Sequence, residues 1–250
     1  MRIKKMVWIW VFLLIIFISS GNAIAQPMEL PPIDISIGEE GASNWALGIQ
    51  LILLLTVLSL APSIVIMLTS FTRIVVVLSL LRNALATQRM PPNQIIVGLA
   101  LFLTLFIMSP VFGQVNEAAF QPYLAEEIAE EEALQLALDP LREFMFEQVS
   151  ERDLALFIEI AGEERPSSQE EVPNLVLIPA FIISELKTAF QIGFLLYIPF
   201  IIIDMIVAST LMSMGMLMLP PVMISLPFKI LLFVLVDGWY LVIRSLVTTF

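Results

Sequence analysis

Four long apolar runs decide most of what this chain can become. They are Trp45–Leu68, Ile95–Phe112, Leu175–Met212 and Ile224–Leu246, and each carries few charges. A bilayer core about 30 Å thick is crossed by ~20 apolar residues in a helix. Backbone polar groups in lipid must be satisfied within the segment, so unbroken runs of this length fold as helices. Hydrophobic residues make up 59% of the chain and mean hydropathy is +0.95, against about 45–50% apolar residues in soluble domains. The fold class is therefore an all-α membrane protein.

The chain has no cysteine and no histidine. That excludes disulfides, thiolate or imidazole metal sites and Ser-His-Asp triads, and no cofactor or enzymatic chemistry is expected. The net charge of −11 is unevenly spread. Residues 61–112 carry Arg73, Arg82 and Arg89 and no acid, whereas residues 113–172 hold 16 of the 23 acids. Phosphate neutralisation needs a Lys/Arg stripe, so nucleic acid is not an expected partner.

Residues 1–25 read as a cleavable signal peptide. Arg2, Lys4 and Lys5 form a positive start, Met6–Ile18 an apolar centre, and Ala23-Ile24-Ala25 an A-x-A site before Gln26. The alternative, an uncleaved anchor, would need a longer apolar run. A polar lead-in follows over 26–44, then a first apolar hairpin over 45–112 with a corner at Pro91-Pro92. An acidic helical domain spans 113–172, and a second apolar hairpin spans 173–250 with a Met-rich corner before Pro220-Pro221. Aligning the two Pro-Pro corners also matches Ile95 with Ile224 and Leu103 with Leu232, an echo of two hairpin units around an acidic insert.

Within the insert, Asp139-Pro140 reads as a helix start, and Ser150 with Asp153 as a capping box. Leu141, Phe144, Met145, Leu154 and Phe157 lie at helical spacing; that face either packs its own core or meets a neighbouring subunit. A leader carries the mature N-terminus outward, and the positive-inside rule keeps the arginine-bearing connection cytoplasmic. The acidic domain then faces the periplasm.

Glu185, Lys187, Asp204, Lys229, Asp237 and Arg244 interrupt the last apolar third. A charge at mid-bilayer costs about 2.5–3.5 kcal/mol on insertion scales, so such groups pair, line a wet path or sit at an interface. Lys187, Asp204 and Asp237 are read as intramembrane charges, and Glu185 with Lys229 as a structural ion pair; a carboxylate relay is the other reading. Six of the 13 methionines fall between Met205 and Met223. They are either packing residues or a deformable apolar seal.

Several strings then become informative together. They are Thr69-Ser70-Phe71-Thr72-Arg73-Ile74, Leu81-Arg82-Asn83-Ala84-Leu85, Pro91-Pro92-Asn93-Gln94 and Phe106-Ile107-Met108-Ser109-Pro110. Pro140-Leu141-Arg142-Glu143-Phe144-Met145, the segment Ser184 to Phe194, Leu226-Pro227-Phe228-Lys229 and Val236-Asp237-Gly238-Trp239 follow in order. From about residue 45 onward the chain resembles the FliP family of type III secretion export-gate proteins, and the leader and acidic insert resemble its flagellar branch.

The resemblance implies a core subunit of the flagellar export gate in the bacterial inner membrane, within the basal body. It implies a ring-like homo-oligomer, a pentamer, with FliQ and FliR as partners and unfolded proteins in transit. It further implies that Met214, Met216, Leu217 and Met218 form the gate constriction, Leu217 standing where close relatives can carry an unbroken Met run. Without the resemblance, a secondary transporter or another channel subunit fits the same residues.

Overall fold

The computed structural model describes residues 43–87, 90–162, 166, 168–216 and 218–250. The expected signal peptide, nearly all of the lead-in, Arg89 and Leu217 lie outside these residues. The chain divides into two units, Met1–Leu54 and Leu55–Phe250. In the first, the described residues are the opening turns of helix α1, Ser43–Met67.

The second unit continues with α2 (Phe71–Ala84) and α3 (Asn93–Val115). A π-helical turn, Asn116–Phe120, and the short α4 (Gln121–Leu124) extend α3 into a single 32-residue rod. Next come α5 (Glu130–Gln148), α6 (Glu151–Ala161), the 40-residue α7 (Asn174–Ser213), α8 (Pro221–Leu235) and α9 (Gly238–Val247). No strand occurs among the described residues. The rod and α7 are long and apolar enough to cross a membrane, and α8 with α9, bent by 64°, form a third candidate if counted as one span.

Both Pro-Pro corners end where a helix begins. Pro92 precedes α3, while Pro220 precedes α8 and Pro221 is its first residue. Proline suits these positions because the first turn has no use for its missing N–H. The composition boundary at 112/113 is not a structural one, since the helix passes through it. Nor does Asp139-Pro140 start a helix: α5 begins at Glu130 and runs through Pro140. The three glutamates Glu130, Glu131 and Glu132 in its first turn complement the positive end of the helix dipole, which favours a start there.

One hydrophobic cluster joins α2, α3, α7, α8 and α9 through residues such as Ile74, Leu81, Ala100, Ala189 and Phe233. A second docks α5 onto α3 and α7 through Met108, Phe144, Met145, Leu177 and Phe181. The apolar face of the acidic segment therefore packs within its own chain, with Leu141, Leu154 and Phe157 partly buried against this cluster. Helix α7 meets Leu80 of α2 at Gly193. A methyl group there would fall inside the contact distance of Leu80 Cδ1, so a larger residue would force the Leu80 side chain to move.

Candidate functional site

The Met-rich corner is built by the way α7 ends. Gly215 stands in the left-handed region at φ +77°. Its N–H donates to Met212 O (3.1 Å), and the Met216 N–H donates to Leu211 O (3.0 Å). These two bonds form a Schellman motif with Gly215 at the residue after the cap. The motif satisfies two terminal carbonyls of α7 and turns the chain away from the helix axis. Pro220 and Pro221 then start α8 on the return path. Between them the loop presents its thioethers outward: Met214 is 61% exposed, Met216 41% and Met218 97%. Among the described residues nothing covers Met218, which holds an apolar side chain out for contact.

Behind the corner, α7 and α8 are tied by a polar clamp. Asp204 Oδ2 accepts from Lys229 Nζ at 2.6 Å, and Asp204 Oδ1 accepts from Ser225 Oγ at 2.5 Å. Ser225 and Lys229 lie one turn apart on α8, so one carboxylate holds both. Lys229 is buried and also donates to Ala84 O at 3.3 Å. Ala84 closes α2, and a cation at a helix C-terminus meets the negative end of its dipole. Lys229 thus joins three helices.

The expected Glu185–Lys229 pair is not formed within the chain. Glu185 pairs instead with Arg73, and Lys229 with Asp204. Register is the reason. Asp204 lies about 28 Å beyond Glu185 on the same helix at ~1.5 Å per residue. The hairpin brings Asp204 and Lys229 level because both sit at similar distances from the corner. Glu185 is level instead with the first turn of α2.

Arg73 is 2% exposed and Glu185 0%. The guanidinium and carboxylate meet fork to fork, through Nε to Oε2 at 3.0 Å and a terminal nitrogen to Oε1. The remaining donors reach Gln148 Oε1 (2.9 Å), Thr249 O (2.9 Å) and Thr249 Oγ1 (3.2 Å). Five guanidinium N–H groups therefore have five acceptor contacts, the condition under which a buried charge is tolerated. Phe250 lies over the guanidinium at 3.9 Å and stacks on Phe144, adding a cation–π contact. Sequence reasoning missed Arg73 as the partner. The available signal was its spacing: Arg73, Val77 and Leu81 lie on one buried stripe of α2.

Of the other expected intramembrane charges, Lys187 is half-exposed and 3.8 Å from Asp153, and Asp237 is exposed at the α8–α9 bend. The expected Ser150–Asp153 capping box does not form: the Ser150 side chain makes no capping bond, and a third residue bridges the two instead. The Ser150 N–H donates to Ser184 Oγ (3.0 Å), and Ser184 Oγ donates to Asp153 Oδ2 (2.8 Å). A serine of α7 thereby caps α6 and docks it.

Comparison with known proteins shows the family. A model of the FliP family matches residues 54–246. The chain is 59% identical over 207 residues to the flagellar biosynthetic protein FliP of Bacillus subtilis (strain 168), an alignment covering 83% of this chain and 94% of that one. It is 52% identical over 222 residues to the Pectobacterium carotovorum subsp. carotovorum protein of that name, covering 89% of this chain and 86% of the relative. With the Aquifex aeolicus (strain VF5) protein it shares 51% identity over 240 residues, covering 95% and 98%.

Proposed function

The chain belongs to the FliP family, and from that premise we propose that it is a core subunit of the flagellar type III export gate in the bacterial inner membrane. The observation that carries this reading is the corner between α7 and α8. Its fold is fixed by the Schellman end at Gly215 and the Pro220-Pro221 start, while its methionines are left uncovered. Several copies arranged in a ring bring these corners to one axis. Flexible, apolar thioethers then close the path to water and ions, because a hydrophobic constriction dewets, and move aside for an unfolded chain. In this reading Leu217 keeps the constriction apolar but stiffer.

The buried Arg73–Glu185 pair and the partly buried Lys229–Asp204 pair set the geometry of each copy. FliQ and FliR complete the gate, and the acidic helices α5 and α6 face the periplasm.

The test is a double replacement, Met216→Ala with Met218→Ala, in cells carrying the whole export complex. The expected result is normal assembly with raised permeability to ions and small solutes. An assembled variant that is no leakier than the parent removes the seal and leaves these methionines as packing residues.

A further inference from the structure

Between the clamp and the corner, α7 and α8 are not packed tightly together. An apolar groove of about 430 Å³ lies there, lined by Ile206, Thr210 and Leu211 on α7 and by Ile224 and Phe228 on α8. Side chains across such a groove forfeit much of their dispersion contact, so they do little to fix one helix against the other. The first polar contacts behind it are those of Asp204, which grips Ser225 and Lys229. Lys229 is in turn fixed to the end of α2 through Ala84 O. Phe200 of α7 packs on Phe233 of α8 beyond the clamp; on the corner side of that packing the two helices are tied at one polar point.

From this geometry we propose that Asp204 is the positioning residue of the gate. Its carboxylate sets where α8 stands against α7, and so holds the Met214–Leu219 corner in its sealing position. The argument rests on the gate reading of that corner. Ser225 gives rotational definition, because two bonds to one carboxylate fix the face that α8 turns toward α7. Lys229 gives the axial level, because it is also held by α2. Losing the carboxylate frees the corner-side end of α8 to shift along the groove, while the Phe200–Phe233 packing holds its far end. Asp204 is itself half-buried, so replacing it disturbs packing far less than replacing Lys229.

The experiment compares Asp204→Asn, Asp204→Glu and Ser225→Ala in the full complex in cells. It scores the amount of assembled complex and the permeability to ions separately, with Met216→Ala/Met218→Ala as the reference for an open seal. The expected result is that Asp204→Asn assembles but leaks several-fold more than the parent. Asp204→Glu, which keeps the charge, should recover most of the seal, and Ser225→Ala should fall between. An Asp204→Asn complex that assembles and stays tight, while the methionine variant leaks, overturns the inference and leaves the gate reading intact. If Asp204→Asn does not assemble, Ser225→Ala decides: an assembled, tight Ser225→Ala complex also overturns it. A methionine variant that assembles without leaking removes the gate reading itself.

Discussion

Arg73 and Glu185 lie 112 residues apart in sequence and meet as a fully buried, two-point ion pair. The pair locks the first turn of α2 to the first third of α7, and through Gln148 and Thr249 it also holds α5 and the segment after α9. Removing one member of a buried pair strands the other and typically costs about 3–5 kcal/mol. Arg73→Ala and Glu185→Ala should therefore each lower the amount of folded protein in membranes and the melting temperature of the purified protein. Arg73→Lys should be nearly as damaging, because an ammonium cannot supply the fork or five donors. Immunoblots of membrane fractions and thermal scans in detergent check both; an unaffected Arg73→Lys would mean that charge alone suffices.

The close approach of Gly193 to Leu80 makes a second expectation. Gly193→Ala overpacks the α2–α7 contact and should destabilise by about 1–3 kcal/mol. Leu80→Ala in the same chain should recover part of that loss, since it removes the atoms the new methyl meets. A double variant as unstable as the sum of its singles would show that the two residues are not coupled.

Orientation is open to chemistry because the chain lacks cysteine. Ser168 is exposed beside the acidic helices. Ser168→Cys should react with a membrane-impermeant thiol reagent in intact cells once the outer envelope is permeabilised. Reaction only after lysis would put α5 and α6 on the cytoplasmic side.

Processing is tested directly. The charged start, apolar centre and Ala23-Ile24-Ala25 site predict a mature N-terminus at Gln26. N-terminal sequencing of the membrane-extracted protein should return Gln26-Pro27-Met28; a sequence starting at Met1 would make the leader an anchor.

Much of the architecture is written in local chemistry. Apolar runs specify helices because lipid leaves the backbone no other partner. Pro91-Pro92 and Pro220-Pro221 mark corners because proline cannot continue a helix but can begin one. Gly215 marks the end of α7 because that end requires a left-handed residue. The ordered strings also suffice to recognise the family. Where local signals mislead, a longer-range one prevails: Pro140 reads as a start, yet the helix is already running from the acidic turn at Glu130.

Pairing is another matter. The sequence shows that Glu185, Asp204 and Lys229 each need a partner, because each stands in an apolar run; it does not say which. Partner choice depends on the axial level and rotation of one helix against another. Those are set by non-directional packing, by contacts such as Gly193 on Leu80, and by the length of the corner between α7 and α8. Hydropathy is nearly blind to a shift of one turn, whereas an ion pair is not. For that reason only the tertiary structure gave Glu185 to Arg73 and Lys229 to Asp204.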